Sequence, residues 1–213
     1  MSGVAASLVS DMRAAFRTAL LAMPMPTAPV TALTAAGRNL GAPGVDFPAL
    51  GFKPGSFVLT GLSNNAGPRR VTRVTNGALV FADPLTTQSG TAAVAMARPD
   101  FAWENEGYTP VPGVPFIEEV VREIDATNKG IGRAGYELHT ILATATLVWP
   151  SGQGTVAPES FTGMLKAALK PGTHLVYGEN SGTIMKSGPG APIPQAPWFR
   201  CPFTVRLESW TTG

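Results

Sequence analysis

The chain has 213 residues, of which 44% are apolar and only 14% charged, with a formal net charge of +2. That is enough apolar material for one medium domain, or for a core domain carrying a smaller one; it excludes a disordered chain, and the net charge gives no strong case for nucleic acid. One cysteine, Cys201, excludes an internal disulfide and points to an intracellular folding site.

Residues 4–23 read as one helix. Leu8, Met12, Phe16, Ala19 and Met23 recur at helical spacing, with Arg13 and Arg17 off that stripe. Asp11, Arg13 and Arg17 also interrupt the apolar run that a signal peptide would need. Pro24 and Pro26 end the helix, because proline lacks an amide proton and clashes with the preceding turn. No uncharged apolar run reaches the ~18 residues of a membrane helix, so a soluble protein is expected.

Residues 27–98 read as a separate small all-β module, a barrel or sandwich. Phe57–Leu59, Val71–Val74, Ala78–Phe81 and Ala92–Met96 are its strands. Lys53-Pro54-Gly55, Asn64-Asn65-Ala66-Gly67 and Asn76-Gly77 supply its turns. The module is basic: Arg38, Lys53, Arg69, Arg70, Arg73 and Arg98 stand against Asp46 and Asp83.

After Pro99 the pattern lengthens. Strands are expected at Phe101–Pro110 and Phe116–Asp125, separated by the proline-stiffened VPGVP. Tyr136–Trp149 is rich in β-branched residues and has no interior glycine or proline. Ala157–Leu169 reads as a helix with Pro158 in its first turn and a stripe of Phe161, Met164, Leu165 and Ala168. Strands follow at His174–Tyr177 and Thr183–Lys186, then the loop SGPGAPIPQAP. In the last strand Phe203, Val205 and Leu207 alternate with Thr204, Arg206 and Glu208. The fold class expected is α+β: a mostly antiparallel sheet with two helices on one face, formed by residues 1–26 and 99–213, plus the inserted module.

Chemistry is scarce. Gly130, Gly132 and Gly135 fit GxGxxG within NKGIGRAG, yet strand formers follow them where a dinucleotide site needs a helix N-terminus. A glycine-rich hairpin explains them, so no nucleotide or other cofactor is expected. His139 and His174 are the only histidines, no GxSxG elbow is present, and neither HExxH nor paired CxxC occurs. Glu118 and Glu119 are neighbours on a strand and point to opposite faces. No catalytic group and no metal site is assembled, and an enzyme is not expected. Aromatic residues at strand ends and in the proline-rich loop are candidate subunit contacts: Trp103, Tyr108, Trp149, Trp198, Phe199 and Trp210, joined by Asn105 and Arg200.

Residues 99–213, with the first helix, resemble the tail terminator proteins of long-tailed bacteriophages. FAWENEGYTPVPGVPFIEE is similar to the family's opening strand and loop. GYELHTILATATLVWPSGQGT is similar to its long central strand, FTGMLKAALKPGTHL to its helix, and WFRCPFTVRLESW to its last strand. The insertion at 27–98 departs from a minimal terminator and is similar to small β modules attached to phage structural proteins. The resemblance implies a virion structural protein, assembled in the host cytoplasm, that forms a homo-oligomeric, typically hexameric, ring. The ring would sit on the tail tube, stop its growth and meet the head–tail connector or neck. No membrane and no sequence-specific nucleic acid enter this reading, though DNA would pass through the ring. Two alternatives remain open: a neck or head–tail joining protein (stopper or adaptor), and a small hydrolase using Cys201 or a histidine.

Overall fold

The structure is a computed structural model that describes residues 2–104, 106–129 and 135–212. It is mostly β with two helices. The chain divides into two compact units. One comprises residues 1–23, 100–151 and 162–213; the other comprises 24–99 and 152–161.

The first unit begins with α1, Ser2–Ala22. Leu8, Met12, Ala15, Phe16, Leu20 and Met23 are buried at helical spacing, while Ala19 is half-exposed, so Leu20 takes the place expected for it. The sheet of this unit runs β4–β5–β6–β10–β8–β7, with β9 beside β10. Its strands are β4 (Asp100–Ala102), β5 (Phe116–Asn128), β6 (Tyr136–Pro150), β7 (His174–Tyr177), β8 (Asn180–Pro189), β9 (Ile193–Gln195) and β10 (Trp198–Thr212). β6 and β10 pair without interruption from Pro150↔Trp198 to Tyr136↔Thr212. α1 lies against β5, β6, β7 and β8. A side chain at Gly182 would come within 2.9 Å of Met12 Sδ, so the glycine admits the helix to the sheet. On the helix side β10 buries Phe203, Val205 and Leu207; Thr204, Arg206 and Glu208 face away, as their alternation requires.

Two expectations fail here. Phe101–Pro110 is not a long strand: β4 stops at Ala102, and a turn follows in which the Glu106 amide donates to the Trp103 carbonyl at 3.1 Å. β4 also runs parallel to β5, an exception in a sheet otherwise antiparallel. Within SGPGAPIPQAP, residues 193–195 form the short strand β9 against β10 instead of a loop.

The glycines Gly130 and Gly132 lie outside the described residues. Their flanks are ordered as two antiparallel strands, Asn128 opposite Glu137, with the Lys129 amide donating to the Tyr136 carbonyl at 2.8 Å. A strand, not a helix, follows Gly135.

The second unit holds a curled three-stranded sheet of β1 (Thr27–Asp46), β2 (Phe57–Leu59) and β3 (Arg69–Met96), in the order β1–β3–β2. β1 was not expected, since TAPVTALTAAGRNLGAPGVD is poor in strand formers. It is held by its antiparallel partner β3 and buries Ala28, Leu33, Ala35, Leu40 and Ala42. β3 folds back at Asn76-Gly77, where Gly77 takes φ 77° and Thr75 Oγ1 donates to the Ala78 carbonyl at 3.0 Å. Val58 of β2 pairs with both Arg69 and Met96, so the two ends of β3 flank one short strand. Phe47 and Phe52 meet edge-to-face at 5.3 Å in the core.

α2 spans Val156–Ala168. Its residues up to Phe161 group with the second unit and the rest with the first. Ala157, Phe161 and Leu165 are buried, whereas Met164 and Ala168 are half-exposed.

Candidate assembly interface

Most of the expected contact residues gather where β5 begins, β6 ends and β10 begins. Register sets Trp149 opposite Phe199, and Val148 opposite both Phe116 and Arg200. Phe116 meets Trp198 edge-to-face at 5.4 Å and Tyr108 at 5.1 Å. Arg200 donates to Glu118 across this end. Three loops finish it, forming a cleft lined by Pro110, Pro112, Pro150, Pro197 and Trp198. The Pro197 carbonyl accepts from both the Ser151 amide and the Ser151 hydroxyl at 2.9 Å, which ties two of the loops together. Trp149 is buried and belongs to the core, while Trp198, Phe199 and Arg200 are half-exposed. The Tyr108 hydroxyl is pushed above its ordinary range by burial, and secondarily by the Asp100 carboxylate.

Trp210 stands at the other end of β10, opposite Leu138 and 57% exposed. Tyr136, opposite Thr212, is similarly exposed. These two aromatics and Ile124 leave apolar surface in water at that end of the unit.

Trp103 sits elsewhere. It stacks on Phe101 at 4.3 Å, and the Arg17 guanidinium lies 4.7 Å from its ring centre. Asn105 lies outside the described residues. Arg17 donates through two nitrogens to one oxygen of the buried Glu119, at 3.0 and 3.1 Å, and reaches Glu106 at 2.9 Å. Arg13 binds Glu104 at 3.0 Å and the Val121 carbonyl at 3.1 Å. Arg122 adds a further contact to Glu104 at 3.2 Å. Together these pairs fasten the segment after β4 to α1. The network was not legible in the sequence; its visible trace was two arginines one turn apart, off the apolar stripe of the helix.

The catalytic candidates remain apart. Cys201 is opposite Leu147 and His139 opposite Ser209, eight residues along β10. That is roughly 27 Å at strand rise. His174 faces Thr183, which pairs with Glu208, also far from Cys201. His139 is itself buried. Its Nδ1 is 2.5 Å from Glu123 Oε1 and its Nε2 2.9 Å from Thr211 Oγ1, with Glu137 at 3.6 Å from the same nitrogen. A carboxylate, an imidazole and a hydroxyl thus fall in line, but the ring is sealed between strand ends and works as a clamp joining β5, β6 and β10. Among the described residues no cluster of three metal-ligating side chains occurs, and no helix is long and apolar enough to cross a membrane.

Comparison with known proteins gives one family. A model described as phage tail terminator protein matches residues 84–207, from the middle of β3 to near the end of β10. No curated protein matches the chain. A solved structure that carries no functional name is 17% identical over 52% of this chain and 79% of its own, with a TM-score of 0.39.

Proposed function

This chain belongs to the phage tail terminator family and is a structural protein of the virion tail, and from that premise we propose that it acts as a homo-oligomeric ring, six-fold in the simplest form, capping the tail tube. The ring stops tube growth, meets the head–tail connector or neck on its other side, and leaves a passage for DNA. The observation that carries this reading is the pair of unlike patches at the two ends of β10. One is the proline and aromatic cleft around Trp198; the other is the exposed Trp210 with Tyr136. They are twelve residues apart on one strand, about 40 Å. A heterologous closed ring needs two different patches on each subunit, and a two-fold dimer needs only one. Residues 27–98 are proposed as a peripheral insertion, with Arg70 and Arg73 available to an acidic neighbour.

The test is particle size and shape. Light scattering and negative-stain micrographs should show a closed ring, and Trp210→Glu should release monomers that remain folded. A wild-type protein that stays monomeric and never binds tail tubes overturns the reading. Binding to the portal-side adaptor, with none to the tube, would instead make it a head–tail joining protein.

A further inference from the structure

The face of the large sheet turned away from α1 carries a line of cations. Arg122 on β5 is opposite Leu142 on β6, Leu142 is opposite Arg206 on β10, and Arg206 is opposite Lys186 on β8. Directly paired residues share a face, so pairing alone brings these three cations into one row. With strands ~4.8 Å apart, the row is about 14 Å long. Like charges placed directly opposite repel, which disfavours Arg206 beside Lys186. Two carboxylates temper the row from its flanks: Glu208 reaches Arg206 at 3.1 Å and Glu104 reaches Arg122 at 3.2 Å. Lys186 has no carboxylate within 4.0 Å among the described residues.

A groove opens beside the Lys186–Arg206 pair, lined also by Ser187, Gly188, Gly190 and Thr204. Gly188 sits opposite Thr204 and has nothing within 4 Å of where its side chain would be, which leaves the groove floor open. Ser187 lies opposite the buried Val205, so its side chain turns to the covered face and only its backbone borders the groove. Two cations, the Thr204 hydroxyl and a bare stretch of backbone form a complement to a phosphate oxyanion.

We propose that this row binds the phosphodiester backbone of a nucleic acid, without reading its sequence. The length of the row favours a polymer over a lone phosphate. A strand carries one phosphate per ~3.4 Å of helix axis, so about 14 Å of cations meets several, whereas a single phosphate reaches Lys186 and Arg206 alone. The proposal does not depend on ring formation, and it is tested on whatever assembly the purified chain adopts.

The experiment is fluorescence anisotropy with a labelled 20-base-pair duplex at about 50 to 200 mM salt, with inorganic phosphate as competitor. Wild type should bind with Kd of about 10⁻⁴ to 10⁻⁶ M, weakening log-linearly with salt. Lys186→Gln together with Arg206→Gln should weaken binding roughly tenfold and flatten the salt dependence by about two phosphates. Lys186→Gln alone breaks no ion pair and should give a smaller loss in the same direction. Arg122→Gln should flatten the salt dependence by about one. The idea fails if wild type does not bind, or if the folded double variant binds as wild type does. It fails equally if Arg70→Gln with Arg73→Gln abolishes binding instead. Full competition by equimolar inorganic phosphate, with Arg122→Gln silent, would reduce the groove to a single-phosphate site and overturn the phosphodiester assignment.

Discussion

The two units of the chain hold themselves together by different chemistry. In the first, charge is taken inside. Glu119 is 1% exposed and is held by Arg17, with Arg13 close by, so a helix, a strand and the segment after β4 share one electrostatic knot. In the second, the fastening is neutral. Asn65 is fully buried and exchanges hydrogen bonds with the backbone of Thr86, donating at 2.9 Å and accepting at 2.8 Å. Nearby, Gly61 takes φ 69° where a side chain would lie 2.5 Å from the Ala93 carbonyl oxygen. Large strands with a helix to cover them leave room for long side chains. Where the small curled sheet brings backbone against backbone, as at Gly61, only a residue without a side chain fits.

That contrast can be broken most sharply at Gly61. Gly61→Val should cost about 4 kcal/mol, because it combines a left-handed backbone with a collision that no flexible side chain can relieve. Hydrogen exchange should show the loss in residues 27–98 and leave β6 and β10 protected. Next comes Glu119→Ala, which takes from Arg17 its buried partner and leaves it Glu106 and the Trp103 ring; it should cost about 3 kcal/mol in denaturant unfolding, with the loss confined to the other unit and lessened at high salt. Asn65→Ala removes both partners of Thr86 and should cost about 2 kcal/mol, with no salt dependence. A salt-sensitive Asn65 variant, or a salt-insensitive Glu119 variant, would erase the distinction.

The smallest effect concerns Tyr108. Its folded-state ionisation is raised, so the neutral phenol is the form that the fold favours. Its contribution to stability is therefore complete below about pH 10 and declines as pH rises through the folded value. Ultraviolet titration of wild type against Tyr108→Phe should show that the phenolate missing from the variant is one that forms above the ordinary tyrosine range of about 10. A difference signal that forms within or below that ordinary range would remove Tyr108 from the packed end of the sheet.

What the sequence disclosed follows the same division. β6 and β10 were plain because their side chains alternate and must pack on a covered face. The clean burial of Phe203, Val205 and Leu207 is that pattern realised. β1 was invisible because its alanines and glycines carry no strand preference; it exists through pairing with β3, a partner some fifty residues distant. The segment after β4 misled for the opposite reason. Phe101, Trp103 and Tyr108 look like strand, but Glu104 and Glu106 are drawn to arginines on α1, about ninety residues earlier. Of the candidate interface, the residues on β6 and β10 were brought together by register. Trp103, in the turn after β4, and Trp210, at the far end of β10, stand apart from the group at the start of β10, since aromatic character says nothing about where along a strand or turn a residue will fall.

The entrance and exit of the second unit have one more implication. Thr27 lies opposite Ala95, and the Met96 amide donates to the Pro26 carbonyl at 2.8 Å. The run from Thr27 to Ala95 therefore begins and ends about one strand spacing apart, while residues 152–161 join the same unit from elsewhere in the chain. A run with such closely set ends can change in length between them without asking its flanking residues to move apart.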